Sequence, residues 1–478
     1  MQGKGTTVAY SRRGSNDLSR YGKEKRSVAV LIAGQFAGTI AEHADRLRSF
    51  RYDEDYDGAD LSLAMQRGAA EVFLDNEITP WIDGLLPNND LIRKDMAARA
   101  GTDRGDLLGL LAEFGKDLPG AVQIVPMADV DETMRQSGSY EAISADEIGK
   151  RLAETLDNAS PTWLADEEHW SLGGAQGKIA LARFDGAWYS CRGSVASTHI
   201  VKPGVYDLRN SVLNEYLCLD IARRCGLAAA SASLESFGGI DALVVERYDR
   251  KRVGLRAVAR LHQEDLCQAL SYLSEDKYDV SANEIIAHLS CDGTGAAVHA
   301  FAEGLFFNYL MGATDAHAKN YSVLHFPGHA FELAPLYDIA SILPYRKQRP
   351  APRRAAMTIG RENRFGYITS SSIARFAGNN GLSRRYAQEL FESIAEKILA
   401  CLPDAIEHAA SAHEAQQFSA SFERTVRANC ESALDNMTRT GATRNIAYMK
   451  TIESGRIERS LSRFSGEHPE PKRGREDR

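Results

Sequence analysis

"KIALARFDGAWYSCRGSVASTHIVKPG", residues 178–204, is the stretch whose reading decides the fold. "KIALARF" and "AWYSCRG" are two β-like runs joined by Asp185-Gly186, a dipeptide that supplies the positive φ angles of a tight hairpin turn. "STHIVKPG" reads as a third strand, stopped by Pro203 and Gly204. "SVLNEYLCLDIARRCG" follows with apolar residues at Val212, Leu213, Tyr216, Leu217 and Ile221, one face of a helix that ends at Gly226 as C-cap. "DALVVERYDR" is a further buried strand. Beyond about Leu255 the pattern turns mostly helical, through "VHAFAEGLFFNYLMG", "RRYAQELFESIAEKILACL" and "HEAQQFSASFERTVRANCESALDNM". A small β-rich lobe followed by a helical one predicts an α+β, two-lobed fold.

Upstream, "SVAVLIAGQFAGTIAEH" reads as two short strands around a glycine-containing turn, with order expected from about Ser27. "EVFLDNEITPWIDGLLPNNDLIRKDMAARAG" is helical in character, with breaks expected at Pro80 and Pro87, and a strand is expected over 121–125. These pieces make an N-terminal subdomain over 27–126. Residues 127–170 read as a linker carrying one helix, "SADEIGKRLAETLDN", with Ser144 and Glu147 at capping-box spacing. The kinase-like small lobe is then expected over 171–255 and the helical lobe over 256–463. Residues 1–26 form a basic tail, and the polar "SGEHPEPKRGREDR" is too hydrophilic to pack.

The chain has 478 residues, is 44% hydrophobic and 26% charged, and carries a net charge of −8. That composition has ample core, and the charge argues against a protein built wholly around a nucleic-acid backbone. The seven cysteines are odd in number and never spaced C-x-x-C, which fits a reducing cytoplasm better than a disulfide framework or zinc ribbon. The N-terminus lacks an apolar signal core, and no run of about 18 uncharged apolar residues is present.

Four pieces carry chemistry. "SLGGAQGK", 171–178, lets backbone N–H groups approach phosphate oxygens. It is no Walker A loop, because Leu172 and Ile179 stand where that motif needs glycine and Ser or Thr. By itself it is as readily an ordinary tight turn. Lys202 closes an apolar strand some 25 residues after Gly177, and Glu215 on the following helix is a candidate partner for its ammonium. In "GATDAHAKN", 312–320, Asp315 and Asn320 have the offset of a kinase catalytic base and a magnesium-binding asparagine. In "LAPLYDIAS", Asp338 lies eighteen residues after Asn320, where a magnesium-chelating aspartate is expected, although Tyr337 and Ile339 replace a literal D-F-G. The bland alternatives are a strand-end lysine, a polar helix cap and a helix-capping aspartate.

Together with "NEYLCLDIARRCGL", "LVVERYDR", "RLHQEDLCQAL", "LLPNNDLIR" and "GAVQIVP", these pieces resemble the HipA-type serine/threonine kinase toxins of bacterial toxin–antitoxin systems. The resemblance covers about residues 28–345 well and the later helices loosely. It implies an ATP- and Mg²⁺-dependent protein kinase that phosphorylates a translation-related protein, typically an aminoacyl-tRNA synthetase. On that pattern Asp315 is the catalytic base, and Asn320 and Asp338 hold magnesium. The loop Leu172, Gly173, Gly174, Ala175, Gln176, Gly177 and Lys178 covers the phosphates with Lys202. Val245, Glu246, Arg247 and Tyr248 form the adenine hinge, and His317, Lys319 and Tyr337 complete the ATP site. Ser171 matches a serine whose autophosphorylation shuts family members off. The resemblance also implies a neighbouring helix-turn-helix antitoxin, HipB-like, and through it operator DNA.

Two other function classes compete. Small-molecule phosphotransferases share the Asp-x4-Asn spacing but usually place His directly before the aspartate, where Thr314 stands here. A catalytically silent co-repressor would tolerate loss of Asp315, Asn320 and Asp338. The basic "YRKQRPAPRR", 345–354, falls where kinases place the activation loop, and is either a solvated loop or a dock for an acidic or tRNA-bearing substrate. A zinc site at His317, His325 and His329 is disfavoured because Pro327 and Gly328 break the helix it would need.

Overall fold

The structure is a computed structural model that describes residue 18 and residues 21–156, 168–174, 176–205, 208–345, 354–409 and 413–438. The first layer is a four-stranded antiparallel sheet with three helices. Its elements are β1 (Glu24–Ile32), β2 (Gln35–His43), β3 (Arg48–Tyr52), α1 (Asp75–Gly84), α2 (Asp90–Ala100), α3 (Leu107–Phe114) and β4 (Val122–Pro126), in the order β3-β2-β1-β4. Ala33 and Gly34 turn β1 into β2 with φ of 52° and 79°, a two-residue hairpin of the primed kind. β1 starts at Glu24, inside the stretch expected as tail, and the reason is charge pairing. Arg26 bonds Glu42 of the neighbouring strand at 3.0 Å and also pairs with Asp106. A second correction concerns Pro80, which lies within α1 rather than breaking it. Its ring is buried beside Trp81 and Ile82, so packing offsets the missing N–H bond.

α4 (Val130–Met134) packs back on β1, β2 and β4 of the first sheet, and the second layer comprises β5 (Gly138–Ala142), α5 (Ala145–Leu156), β6 (Ile179–Phe184), β7 (Ala187–Gly193), β8 (His199–Pro203), α6 (Ser211–Arg224), β9 (Ala232–Phe237) and β10 (Ile240–Glu246). Its six strands run β5-β7-β6-β8-β10-β9, all neighbours antiparallel. The β6–β7 turn has Asp185 at φ 52° and Gly186 at 85°, as the dipeptide predicts. β5 pairs with β7, so the stretch expected as a linker supplies an edge strand of this sheet.

The third part holds β11 (Arg250–Arg252), β12 (Val258–Arg260), β13 (Gln263–Asp265), α7 (Leu266–Ala269), α8 (Ala282–Leu289), α9 (Ala296–Met311), β14 (Ser322–Phe326), β15 (Ala330–Leu333), β16 (Arg354–Ile359), β17 (Glu362–Arg364), α10 (Ser370–Asn379), α11 (Arg384–Ala409) and α12 (His413–Thr438). It is helical with small antiparallel sheets, β13-β14-β15 being the one beneath the site. No helix of the described residues is long and apolar enough to cross a membrane. The basic segment 345–354 lies outside the described residues except for its two ends.

Two cores hold this together. One packs α6 against α9–α12, with α9 buried almost all round through Phe301, Phe306, Phe307, Tyr309 and Leu310. Each such ring withdrawn from water contributes about 1.5–3 kcal/mol. The other joins the first sheet and its helices, through Phe50, Trp81, Leu111 and Phe114, to Ile179, Leu181, Val201 and Val244 of the second sheet.

Polar contacts extend this union downward. Gln268 Nε2 donates to the Trp81 carbonyl at 2.7 Å, the Leu63 N–H donates to Glu264 Oε1 at 2.7 Å, and His262 meets the Leu61 carbonyl at 2.9 Å. A buried charge cluster does the same at the sheet edge. Asp117 faces Arg250 at 2.9 Å and Arg247 and Arg260 at 3.5 Å, while Asp249 bonds Arg247 at 2.8 Å and Arg250 at 3.0 Å. Burial pushes the Asp117 carboxyl upward, but the three guanidiniums outweigh it and hold its pKa below the usual carboxylate range.

Candidate active site

A cavity of about 400 Å³ lies between the six-stranded sheet and the helical lobe. Its roof is the glycine loop. Gly174 has φ 101°, a conformation that favours glycine, and a Cβ there would stand 2.9 Å from Lys178 Nζ. Lys178 reaches back to donate to the Gly173 carbonyl at 2.7 Å, and Gln176 Nε2 donates to the Pro203 carbonyl at 2.9 Å. Burial, and next the neighbouring Lys202 ammonium, lower Lys178 to about 8. Ser171, at the start of the loop, is 1% exposed and donates its hydroxyl to the Leu85 carbonyl at 2.9 Å. The loop is thereby folded inward.

The back wall carries Lys202, at the end of β8, where the strand alternation turns it toward the cavity. Its ammonium lies 2.8 Å from Glu215 Oε1 of α6 and 2.8 Å from Asp338 Oδ1. Burial alone would depress the lysine, but Asp338 and Glu215 outweigh it and raise its pKa, so it stays charged. Glu215 is raised chiefly by burial, against the pull of Lys202. Asp338 is lowered chiefly by Lys202. Asp338 sits in left-handed backbone (φ 56°), an uncommon conformation of the kind that collects at functional sites.

The floor is the stretch after α9. Gly312 caps that helix at φ 75°, and the chain passes through Asp315 and a short 3₁₀ turn over Ala318–Asn320. Asn320 Nδ2 donates to the Asp315 main-chain carbonyl at 2.8 Å, which fixes the Asn320 side chain against the backbone of Asp315. His317 Nε2 lies 3.7 Å from Asp315 Oδ1. Burial lowers His317 to about 4, so the ring is neutral at pH 7 and acts as a wall. The Asp315 carboxylate is 63% exposed and accepts a hydrogen bond from the Tyr278 hydroxyl.

The cavity lining brings together Leu172, Gly173, Gly174, Gln176, Lys178, Lys202, Val245, Glu246, Tyr248, Asp315, His317, Asn320, Tyr337 and Asp338. Four of the expected positions need qualification. Arg247 lines the cavity, but its guanidinium is spent on Asp117, Asp249, Ser197 and the Leu118 carbonyl. Lys319 lines it too, yet its ammonium bonds Asp265 at 2.8 Å and the Gly84 carbonyl at 3.3 Å. Gly177 is absent from the lining; a Cβ there would meet Thr155 at 2.9 Å, so it serves contact with α5. Ala175 lies outside the described residues.

Sequence reasoning missed Asp265, which holds Lys319 and caps α7 by accepting from the Cys267 and Gln268 N–H groups. It also missed Tyr278 and Gly84. The capping box Asp265-x-x-Gln268 in "QEDLCQ" was the available signal for the first; the other two show only when distant segments meet. Among the described residues no cluster of three or more His, Cys, Asp or Glu could hold a metal on its own.

Residues 28–125 match the family profile described as the HipA N-terminal domain, and residues 170–402 that of the HipA-like C-terminal domain. The chain is 32% identical over 395 residues to the putative kinase Y4mE of Sinorhizobium fredii, across 78% of this chain and 90% of that protein. It is 30% identical over 385 residues to the serine/threonine-protein kinase toxin HipA of Shewanella oneidensis, across 75% of this chain and 84% of that one. A chain in the solved Shewanella oneidensis complex of HipA, HipB and operator DNA aligns with a TM-score of 0.74 at 26% identity. That alignment covers 85% of this chain and 97% of the other.

Proposed function

The chain belongs to the HipA family of kinases, and on that footing we propose that it transfers the γ-phosphate of ATP to a serine or threonine hydroxyl of a protein. One observation carries the reading. Lys202 is held between Glu215 and Asp338 at 2.8 Å each, on the same cavity that Asp315 and Asn320 line. Phosphoryl transfer asks the protein mainly for positioning and charge compensation, and this arrangement offers both.

In this reading the glycine loop lies over the triphosphate, with Lys202 and Lys178 offsetting its charge. Val245, Glu246 and the Tyr248 segment line the adenine end. Asp315 accepts the proton of the attacking hydroxyl, and its backbone tie to Asn320 keeps the base in line with the nucleotide. The Asn320 amide oxygen and the Asp338 carboxylate are hard oxygen donors, the kind Mg²⁺ prefers. Asn320 and Asp338 would hold Mg²⁺, which when bound would offset charge developing on the leaving group.

The family resemblance further suggests a translation protein as acceptor, an aminoacyl-tRNA synthetase in particular, in the cytoplasm. It suggests a helix-turn-helix antitoxin that carries the kinase to operator DNA, as HipB accompanies HipA in the Shewanella oneidensis complex. Ser171 is proposed as the autophosphorylation site. Its seat against the Leu85 carbonyl has no room for a phosphate's negative charge, so modification would expel the loop and close the kinase down. The test is labelled ATP incubated with cell lysate and the wild-type protein or Asp315→Asn. Wild type should label a discrete protein band and the variant should lose at least about 100-fold of the rate, the scale of general-base catalysis. Equal labelling would reject the assignment.

A further inference from the structure

Tyr278 is an exposed aromatic residue that the family reading leaves without a task; 52% of its surface is open to solvent. Its hydroxyl donates to Asp315 Oδ1, one of the two oxygens of the carboxylate assigned above as the base. Three further contacts fix the ring. It stands edge-on to His317 with centroids 5.0 Å apart, and the Lys277 ammonium lies 5.1 Å from its centroid. The preceding carbonyl, of Lys277, accepts the Ala318 N–H of the catalytic turn at 3.4 Å. Just upstream, the Ser274 N–H donates to Asp83 Oδ2 at 3.1 Å, and Lys319 Nζ reaches Ser274 Oγ at 3.3 Å. The segment is thus anchored at both ends, and the phenol is held over the base.

We propose that the Tyr278 hydroxyl occupies the acceptor seat at Asp315 Oδ1, so that a protein serine must displace it before transfer and water is kept from that oxygen meanwhile. This rests on the assignment of Asp315 as base. Tyr278 is a specificity-determining and positioning residue in this scheme: it gives up its bond to Asp315 when a better-placed hydroxyl arrives and takes no part in bond making. An acceptor that brings its own contacts to the surrounding surface displaces the phenol. A lone water brings none.

The test compares wild type with Tyr278→Phe, which keeps the ring contacts and removes only the hydroxyl, and with Tyr278→Leu, which removes the ring. Two rates are followed: ATP hydrolysis without acceptor, and transfer to a pooled serine-peptide library. Thermal unfolding establishes that each variant is folded. Loss of one exposed charge-assisted hydrogen bond predicts a rise of about threefold or more in acceptor-free hydrolysis and a similar fall in apparent KM for the peptides, with kcat changed less than about twofold. The KM–kcat split separates this role from simple structural support, which would lower kcat. Unchanged hydrolysis and KM in both variants, alongside an inactive Asp315→Asn, would overturn the seat while leaving the kinase reading intact. An active Asp315→Asn would remove the base and the seat together.

Discussion

Asp117→Asn should destabilise the junction between the N-terminal sheet and the 247–250 segment, which reaches the cavity through Arg247 and Asp249. Within the buried cluster, Asp117 and Asp249 supply two negative charges against three positive ones from Arg247, Arg250 and Arg260, and every one of these side chains is 5% exposed or less. The native balance is therefore one positive charge in excess. Asparagine keeps the shape but raises that excess to two, and it weakens the acceptor for the Ser197 hydroxyl, now 2.6 Å away. Breaking a buried ion pair from one side costs about 3–5 kcal/mol, because the remaining charges stay desolvated. Arg260→Met does the opposite: it brings the cluster to neutrality, forfeiting the 3.5 Å pairing with Asp117 and the bonds to the Ser194 and Lys116 carbonyls. Its cost should be less than half as large. Urea unfolding followed by tryptophan fluorescence measures both. A loss of under about 1 kcal/mol for Asp117→Asn, or equal losses for the two variants, would refute the charge argument. The pH dependence follows in sign. Because Asp117 is depressed in the folded state, its contribution is complete above the ordinary carboxylate value and drains away as pH falls below it.

Lys178, lowered to about 8 by burial and by Lys202, should be largely neutral at pH 8.5 in the free protein. A triphosphate restores the charge, so ATP binding at that pH should take up a fraction of a proton. Calorimetry in two buffers of different ionisation enthalpy reads it, and Lys178→Met should abolish it. By the same linkage, the stability cost of burying this ammonium fades as pH rises from about 8 toward the ordinary 10.5. Ser171→Asp places a carboxylate against the Leu85 carbonyl and should weaken ATP binding by about tenfold or more, with new protease cleavage inside 171–178; Ser171→Ala should do neither. Wild-type ATP affinity in Ser171→Asp would show that the inward seat of the loop is dispensable.

Much of this architecture is legible in the sequence wherever local pattern and final environment agree. The β6–β7 hairpin, β8 and α6 follow from Asp185-Gly186, the stop at Pro203 and the apolar spacing from Val212 to Ile221. β5 escaped because "GSYEA" is nearly all exposed and has no alternation to read; only its pairing with β7 makes it a strand. Pro80 misled because a breaker rule weighs backbone bonds and not the burial that offsets them. At the site, spacing singles out Lys202, Glu215, Asp315, Asn320 and Asp338, and the fold brings these five to one cavity. The direction in which Arg247 and Lys319 point is not legible that way. Their partners Asp117, Asp265 and Gly84 lie 130, 54 and 235 residues away in sequence, and one chain without relatives carries no record of such meetings.

The hydrogen bonds that join Trp81, Leu61, Leu63 and Gly84 to Gln268, His262, Glu264 and Lys319 tie the N-terminal part to β13, α7 and the Ala318–Asn320 turn. The N-terminal sheet is consequently the foundation slab of the kinase rather than an annexe. A fragment starting at residue 168 would strip Gln268, His262, Glu264 and Lys319 of their bonds to Trp81, Leu61, Leu63 and Gly84. Engineers seeking a minimal phosphotransferase from this chain should expect it to come only as the whole.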